Sequence, residues 1–579
     1  MNVAVKKIDC FYVLVIFFFI VSTTHGAIYA EHPAGYAVAS AHPLATNAGL
    51  EILAQGGNAF DAAVAVGAAL AVVEPYHSGL GGGGFWLLHQ AKINKNIFID
   101  GREVAPLAAS KGMFLSADGM PIPELSLNGG LAAAIPGEPA ALVMIAQRFG
   151  RLPLAQTLAP AIRLAEGGFL VDNHFNHFIL MGDRLKQLQK YKASAAIFLR
   201  DGKPYPMGGR LIQKDLARTL HTIAARGHDG FYHGEVAARL VAAVNRAGGR
   251  WTLQDLASYR VKIREPLQGT FNNMHIITAP PPSAGGVSLL TMLNVLADYP
   301  LQTKSKAEWV HYLVEAMRLA FWQRSGLLAD PDFVDVPLTK LLSKENANYL
   351  HTLIHDNRAT PSASLPETII DKKGSNSTTH FSIIDSEGNR VAATLSINYI
   401  FGSSVVADGT GVLLNDEMDD FTIKPNIKNV YGLVGGGNNA IQPGKRPLSS
   451  MTPTFLDMPG RVAILGTPGG SRIPTMVLLS SLVFSDSFGA ISMVSSMRFH
   501  HQYLPDRIQF EPETFPPQLQ DDLKRMGYHL VPLQEYYGDM QAVTWDRQHN
   551  LLTAASDPRH IGQGTTVSEH QHGGYGLMH

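Results

Sequence analysis

The sequence has 579 residues, of which 46% are hydrophobic and only 16% are charged, against roughly 25% charged residues in an average globular protein. This composition supplies a large buried core. The 47 Lys and Arg residues nearly balance the 48 Asp and Glu residues, so no overall electric field favours nucleic acid or an anionic membrane as the partner.

The first 30 residues have the pattern of an export signal. Two basic residues, Lys6 and Lys7, precede an apolar run over 11–21 and a small-residue stretch over 26–30 that suits cleavage. The apolar run is shorter than the ~20 residues that span a bilayer, which favours a cleaved signal over a retained anchor. We therefore expect an exported protein, periplasmic or secreted, with no stable membrane span.

The cysteine content restricts the chemistry of the mature chain. The only cysteine, Cys10, lies within the predicted signal. The mature protein would then have no disulfide, no thiol nucleophile and no thiolate metal site, which fits the bacterial periplasm better than eukaryotic secretion. The HExxH and CxxC metal patterns are absent, and we predict neither a metal nor a cofactor.

The first part of the mature sequence is mainly helical. Alanine-rich helices are predicted over 43–56 and 58–74, and the second has Asn58 as its N-cap with Asp61 three residues on. This second helix is apolar on nearly all sides, which predicts burial all round. Further helical patterns cover residues 139–149, 154–166, 211–226 and 308–322.

A glycine-rich stretch follows the second helix. Gly79, Gly81 and Gly84 satisfy the GxGxxG pattern of dinucleotide-binding folds. In those folds the pattern follows a strand and opens a helix, whereas here it follows a helix and leads into the strand-like run 85–88. The glycines are better explained by a close approach of two backbone segments inside the core.

The residue pattern of the sequence changes near Ser377. Residues 361–377 are polar and poor in helical pattern, and we expect an exposed connection there. Short alternating strands with glycine turns follow. The chain therefore divides into a mainly helical part and a mainly β part.

The β part opens with a predicted hairpin whose arms are 378–385 and 389–398. The three-residue loop between them has Gly388 for its left-handed position. This loop length pairs Asp385 with Asn389 and sets Thr378 opposite Ser396. The polar face of the hairpin carries Thr378, His380, Ser382, Thr394, Ser396 and Asn398. Such a face is either exposed to solvent or forms part of a functional site.

The stretch GSNSTTHFSII, residues 374–384, is open to three interpretations. It is a plain strand start, a glycosylation sequon at 376–378, or a segment that contains a threonine nucleophile. A threonine hydroxyl needs a base, and the α-amine of an N-terminal threonine supplies one because its ordinary pKa is ~7.7 to 8.0. Making such a terminus in mid-sequence requires cleavage between Ser377 and Thr378.

Several long motifs in fixed order resemble the γ-glutamyltranspeptidase family, also called glutathione hydrolases, of the N-terminal-nucleophile hydrolase superfamily. The central motif runs from Thr378 through Ser396 and Asn398 to Phe401 and Gly402. The similarity covers nearly all of the mature chain. The other matching segments are 58–86, 100–103, 280–286, 330–333, 413–421, 445–453 and 466–472.

The resemblance implies an α+β fold, a four-layer αββα sandwich with a mainly helical large subunit and a β-rich small subunit. It also implies a signal over 1–30, a large subunit over 31–377 and a small subunit over 378–579, made by self-cleavage before Thr378 and held together as a heterodimer. The implied substrates are glutathione and other γ-glutamyl compounds. The implied acceptors are water, amino acids and peptides, through a γ-glutamyl ester on Thr378.

The resemblance also implies roles for individual residues. Thr378 would be the nucleophile and its α-amine the base, with Ser396 orienting it. The residues implied to bind substrate or the oxyanion are Arg102, Ser449 and Ser450 for the α-carboxylate, Asn398, Glu417 and Asp420 for the α-ammonium, and the backbone of Gly469 and Gly470 for the oxyanion. An arginine fork suits a carboxylate because it offers two parallel donors.

Three features bear on the alternatives. Residues 425–437 resemble the family's lid loop, with Tyr431 as its gate, and related β-lactam acylases on the same scaffold lack a comparable lid. The family more often has threonine at position 396, so we expect an altered rate there. Residues 561–579 are expected to run past the family's usual end. The alternatives to a γ-glutamyl enzyme are such an acylase and an unprocessed, non-catalytic binding protein.

Overall fold

The computed structural model describes residues 29–365, 377–424, 433, 436–486 and 489–568. Nearly all of the predicted export signal, including Cys10, lies outside these residues, as do Tyr431 and most of the predicted lid. Among the helices described, none is both long enough and apolar enough to cross a membrane.

The structure has strands on both sides of Ser377. Those before it are β1 Gly35–Ser40, β2 Gly83–Gln90, β3 Lys95–Gly101, β4 Phe169–Leu170, β5 Arg210–Leu211, β6 Lys262–Arg264, β7 Leu267–Phe271 and β8 Met274–Thr278. Those after it are β9 Thr379–Ile384, β10 Arg390–Ser396, β11 Val406–Ala407, β12 Val412–Leu413, β13 Thr454–Met458, β14 Arg461–Gly466, β15 Phe499–His500, β16 Ile508–Phe510, β17 Leu530–Pro532, β18 Gln541–Asp546, β19 Leu551–Ser556 and β20 Gln563–Ser568.

Most of the helices precede Ser377. They are α1 Pro43–Ala54, α2 Ala59–Val73, α3 Pro123–Leu127, α4 Glu138–Phe149, α5 Leu154–Gly167, α6 Asn173–Leu180, α7 Arg184–Lys190, α8 Lys192–Phe198, α9 Lys214–Arg226, α10 Asp229–Tyr232, α11 Gly234–Arg246, α12 Leu253–Ser258, α13 Gly285–Leu296, α14 Lys306–Leu327, α15 Leu338–Leu341 and α16 Lys344–His351. Three follow it, namely α17 Ile473–Ser485, α18 Ala490–Val494 and α19 Pro517–Arg525.

Two large antiparallel sheets form the centre of the molecule. The first has seven strands in the order β20-β1-β9-β10-β2-β3-β6, and the second has six in the order β19-β18-β14-β13-β8-β7. Contacts of β9 with β14 and β18 stack one sheet on the other. The outer face of the first sheet packs against α1, α2, α4 and α5 in one apolar core, and α13, α14 and α17 share a second apolar core with the second sheet. The arrangement is the predicted α+β, four-layer αββα sandwich.

Helix α2 confirms the sequence prediction in detail. Asn58 caps it, and a capping box links the Asn58 and Asp61 side chains with each other's backbone. All fifteen residues of the helix are buried. The glycine stretch after it is a close backbone approach, because a Cβ on Gly82 would lie 2.2 Å from the Ser396 carbonyl oxygen. This contact fixes β2 against the end of β10, where the predicted site begins.

The hairpin of β9 and β10 has the predicted register. The Asp385 amide donates to the Asn389 carbonyl oxygen, and Leu395 pairs with Thr379, so Thr378 falls opposite Ser396. The polar face is buried between the two sheets instead of meeting water. His380 contacts Gly466 of β14, and the Ser382 hydroxyl donates to the Gln541 carbonyl oxygen at 3.1 Å.

The division into a mainly helical and a mainly β part agrees with the helices, most of which precede Ser377, although strands from before Ser377 also lie in both sheets. Two expectations from the sequence need correction. Ser377 itself is buried at 1% exposure, and the rest of the expected exposed connection lies mostly outside the described residues. The C-terminal run is part of the fold up to Ser568, because β20 pairs with β1 along its whole length.

Candidate active site

Thr378 lies immediately before β9, an internal strand of the first sheet. Its side chain is buried, with 3% of the residue exposed. Its φ of +146° is in a region that a β-branched residue rarely adopts, which marks a strained backbone at this position. The preceding residue is fixed by the Ser377 hydroxyl, which donates to the Tyr76 carbonyl oxygen at 3.3 Å. The peptide bond between them is therefore held in a strained, buried setting.

Ser396 lies next to the Thr378 hydroxyl, as the register predicts. Their side-chain oxygens are 3.4 Å apart, and the Ser396 oxygen also accepts a hydrogen bond from the Asn398 amide at 2.9 Å. The serine thus connects the threonine hydroxyl with the backbone at Asn398.

Arg102 follows β3 and is buried with 1% exposed. Its Nη1 lies 2.6 Å from Glu417 Oε2, and its Nη2 lies 2.6 Å from Asp420 Oδ2. Its Nε donates to the Pro447 carbonyl oxygen at 3.2 Å. The two acids are on a short helical turn over 417–420. The structure therefore brings together the predicted carboxylate-binding cation and the predicted ammonium-binding acids, which are hundreds of residues apart in the sequence.

Burial controls the protonation of this cluster. Desolvation raises the pKa of Glu103 to about 8, although Arg102 and the backbone oppose the shift. Desolvation likewise raises the pKa of Glu417, with Arg102 again opposing. The pKa of Arg102 is raised, because its acidic neighbours outweigh its own burial. Three carboxyl groups thus surround one guanidinium that stays charged, and at neutral pH a proton remains on the acidic side.

The remaining predicted binding residues line a small cavity around Thr378. Its volume is about 20 Å³, which is room for about one water. Asn398, whose φ is +71°, donates from its side chain to the Asp416 carbonyl oxygen at 3.0 Å. The cavity is lined by Arg102, Thr378, Ser396, Asn398, Asp420, Ser449, Ser450 and Gly470, among others.

Gly469 and Gly470 form the loop between β14 and α17. Their φ values of +141° and +55° suit glycine and strain other residues. Gly470 lines the small cavity with Thr378. Gly469 instead lines a second, larger cavity together with Ser377. Each of the two glycines therefore lines a different cavity.

Sequence reasoning missed this second cavity. It has a volume of about 480 Å³, and its lining includes four histidines, His77, His174, His177 and His560. These residues come from the loop after α2, from α6 and from the segment before β20, so no local pattern connects them. His77 is paired with the buried Glu74 at 3.2 Å.

A second buried arginine that the sequence reading also missed lies beside the small cavity. Arg324 of α14 donates to the Ser450 hydroxyl oxygen at 3.4 Å. Burial lowers its pKa to about 10. Its charge adds to the positive potential around the predicted carboxylate-binding serines.

One group of potential metal ligands occurs among the described residues, away from both cavities. His228, Asp229 and His233 offer ligand atoms within 4.8 Å of one another on the surface around α10. None of the three lines either cavity.

Comparison with known proteins gives a consistent family match. A family model described as gamma-glutamyltranspeptidase matches residues 45–567. The chain is 43% identical over 495 residues to the glutathione hydrolase proenzyme of Pseudomonas sp. strain A14, covering 85% of each chain. It is 40% identical over 534 residues to that of Escherichia coli K12, covering 90% of each. The match through residue 567 includes most of β20, so the expectation that residues from 561 on exceed the family's end is wrong for this strand.

Solved structures share the fold. The cephalosporin acylase of Bacillus halodurans aligns with a TM-score of 0.80 at 27% identity, covering 95% of this chain and 99% of that one. The gamma-glutamyltranspeptidase of Helicobacter pylori aligns with a TM-score of 0.54 at 40% identity, and 93% of that chain corresponds to 56% of this one.

Proposed function

This chain belongs to the γ-glutamyltranspeptidase family, whose model spans residues 45–567, and from that membership we propose which residues perform its reaction. The protein is a γ-glutamyltransferase and glutathione hydrolase of the N-terminal-nucleophile type, which cleaves the γ-glutamyl amide of glutathione and related compounds. It is made as a precursor that is processed into two subunits.

The proposed cleavage is between Ser377 and Thr378. The Thr378 hydroxyl attacks the Ser377 carbonyl carbon, the C–N bond breaks, and the hydroxyl proton passes to the freed nitrogen. Water then hydrolyses the resulting ester and leaves a Ser377 carboxylate and a Thr378 α-amine. The positive φ of Thr378 and the burial of both residues support this position, because strain at the bond is released when it breaks. The products are a large subunit over 31–377 and a small subunit over 378–579.

The new α-amine is the base of the catalytic cycle. It takes the proton of the Thr378 hydroxyl as that oxygen attacks the γ-carbonyl carbon of the substrate, and it returns a proton to the leaving amine. A γ-glutamyl ester on Thr378 results. Water, or the amine of an amino acid or peptide, then attacks the ester carbonyl and releases the threonine. Ser396, 3.4 Å from the nucleophilic oxygen, orients the hydroxyl in both reactions.

Substrate binding exchanges one set of ion pairs for another. In the free site Arg102 is paired with Glu417 and Asp420. A γ-glutamyl group brings an α-carboxylate for Arg102, Ser449 and Ser450, and an α-ammonium for the two acids. Each buried charge thereby keeps a partner of opposite sign, which avoids the cost of an unpaired buried charge. The small volume of the free cavity means that this exchange accompanies a local opening.

The oxyanion of each tetrahedral intermediate requires backbone donors that point toward Thr378. We assign this role to the amides of Gly469 and Gly470, which precede α17. Donors fixed before the reaction stabilise the developing charge without reorganisation. Tyr431 is proposed as the gate of the lid over 425–437, and it lies outside the described residues.

The contact of Arg102 with Glu417 and Asp420 beside Thr378 is the observation that carries the proposal. A cation and two acids at one reacting hydroxyl match a zwitterionic acyl group, and an acylase for another amide has no need of them. The cephalosporin acylase shares the scaffold at 27% identity, whereas the glutathione hydrolase of Escherichia coli K12 is 40% identical over 90% of the chain. An unprocessed binding protein would have no use for the strained threonine.

Intact mass and N-terminal sequencing of the purified protein test the cleavage directly. We expect two polypeptides, the smaller beginning Thr-Thr-His-Phe, and hydrolysis of L-γ-glutamyl-p-nitroanilide. Thr378→Ala should give one uncut, inactive chain, and Thr378→Ser should still be cut, because serine keeps the hydroxyl. A Thr378→Ala chain that matures normally would remove Thr378 from the mechanism. Recovery of the wild-type protein from the periplasm or the medium would support the proposed export.

A further inference from the structure

We propose that His228, Asp229 and His233 bind one divalent transition-metal ion, with Zn²⁺ as the best match, and that this ion holds the single turn of α10 in place. None of the three residues lines either cavity, so binding there does not depend on the proposed cleavage or reaction. The prediction that the chain has no metal rested on the absence of HExxH and CxxC, and this cluster contains neither pattern.

The distances within the cluster are the first argument. Asp229 Oδ1 lies 3.6 Å from His228 Nδ1 and 3.7 Å from His233 Nε2, and the three ligand atoms all lie within 4.8 Å of one another. Hydrogen bonds between such atoms are about 2.7–3.2 Å long, so the carboxylate oxygen is too far from either ring for one. Two ligand atoms on a tetrahedral Zn²⁺ with bonds of about 2.0–2.1 Å are about 3.4 Å apart, which is close to the observed separations.

The kinds of ligand and their order in the chain are the second argument. Two imidazoles and one carboxylate, with water in the fourth position, are a ligand set that Zn²⁺ uses, whereas Mg²⁺ and Ca²⁺ prefer oxygen ligands. His228 immediately precedes α10, Asp229 is its first residue, and His233 immediately follows it. An ion bound to all three side chains therefore connects the two ends of this turn.

Packing already fixes one of the ligands. The His228 ring stacks on Tyr232 with the centroids 4.4 Å apart and the planes at 17°, and Tyr232 stacks on Tyr259 at 5.6 Å. Both tyrosines are buried, and the Tyr232 hydroxyl donates to the Pro136 carbonyl oxygen at 2.9 Å. A ligand that packing holds in place loses little conformational freedom when it binds an ion. Mainly the more exposed side chains of the other two ligands must become ordered.

The charges around the cluster limit its affinity. Arg226 is close, because a Cβ on Gly234 would lie 3.4 Å from its Nη1. Burial lowers the pKa of His228, and the charge of Arg260 contributes to the same shift. Asp229 supplies the one negative charge among the three ligands. We therefore expect binding in the micromolar range, weaker than that of a structural zinc site with four protein ligands.

Calorimetric titration of the full chain with ZnCl₂ tests the site. The protein is purified without a histidine tag, treated with EDTA, dialysed and titrated at about pH 7.5, where an ordinary imidazole is mostly neutral. We expect His233→Ala to bind one equivalent of Zn²⁺ less than the wild type. Asp229→Asn should bind that equivalent about tenfold or more less tightly, because a lost ligand charge costs at least as much as a lost outer partner of a metal site.

His221→Ala is the matched control. The His221 side chain is 57% exposed, against 45% for His233, and it lies on α9, where it pairs with Glu166 at 2.9 Å. This variant should bind Zn²⁺ as the wild type does. The histidines after residue 568 are present in every variant, so any ion that they bind cancels in the comparison.

Two further measurements separate a specific site from adventitious binding. Mg²⁺ and Ca²⁺ at the same concentration should not displace Zn²⁺. Zn²⁺ should raise the melting temperature of the wild type and of His221→Ala, but not that of His233→Ala, because an ion bound only to the folded chain stabilises it. Circular dichroism spectra confirm that the variants are folded. If His233→Ala and Asp229→Asn bind the same number of ions as the control with the same affinity, the binding is adventitious and the proposal is wrong.

Discussion

Replacing Arg102 with lysine tests the proposed recognition of the substrate carboxylate. Arg102→Ala is a poor choice, because Glu417 and Asp420 each lie 2.6 Å from the guanidinium, and removing one partner of a buried ion pair costs about 3–5 kcal/mol of stability. Lysine keeps the charge but replaces a two-pronged donor with a point charge. About one charged hydrogen bond to the substrate is lost, which is worth roughly 1.5–3 kcal/mol.

This loss converts to an expected decrease in kcat/KM of about 10- to 150-fold for L-γ-glutamyl-p-nitroanilide. The assay compares that donor with 4-aminobutyryl-p-nitroanilide, which has the same amine but no α-carboxylate. For the second donor, wild type and Arg102→Lys should agree within about threefold, because the missing interaction is absent from both. A far-ultraviolet circular dichroism melt controls for folding. Equal losses with both donors would refute the assignment of Arg102 to the carboxylate.

Three further changes test the site and the fold around it. Ser396→Ala should lower kcat and slow self-cleavage about tenfold or more, because a hydrogen bond to the reacting hydroxyl is lost. Ser396→Thr keeps the hydroxyl and should retain both activities. If the alanine variant had the same rates as wild type, Ser396 would not orient the nucleophile. Gly466→Ala should destabilise the chain by about 1–3 kcal/mol in urea unfolding, because the new Cβ would lie 2.3 Å from the His380 ring, while Gly112→Ala, with open space around it, should not. Burial raises the pKa of Glu138 to about 8 from 4.5, so between about pH 5 and 8 the folded chain holds a proton that the unfolded chain has lost, and the free energy of unfolding falls as the pH rises. Glu138→Gln should reduce this fall by a few kcal/mol. An unchanged dependence of the urea-unfolding free energy on pH would contradict the assignment.

Local pattern was sufficient for the hairpin and for helix α2. The three-residue loop and the alternation of residues 389–398 fixed the pairing of Thr378 with Ser396, because a shift by one residue would have mixed the two faces. The capping box at Asn58 and the all-apolar surface of α2 were equally local. Pattern alone left open whether the polar face of the hairpin meets water, since that depends on β14 and β18, which come much later in the chain.

Local sequence patterns were not sufficient to predict which residues form the site. Arg102, Glu417 and Ser449 are brought together by tertiary packing, and from the sequence only the resemblance to a family connected them. That resemblance supplied no expectation that Arg102 would be paired with the acids in the free site, because ion pairing follows from burial and distance. The cavity beside Ser377 was missed for the same reason, and its histidines carry no spacing signal.

The positions of β9 and β10 have a consequence for the cut protein. This hairpin follows the proposed cleavage site, yet it lies between β1 and β2, which precede it. Cutting one peptide bond therefore leaves two polypeptides that share one sheet and cannot separate without unfolding. Refolding of the cut enzyme becomes a bimolecular reaction whose yield depends on protein concentration, whereas the uncut chain refolds by itself. Maturation thus makes recovery of the folded protein depend on the encounter of two polypeptides.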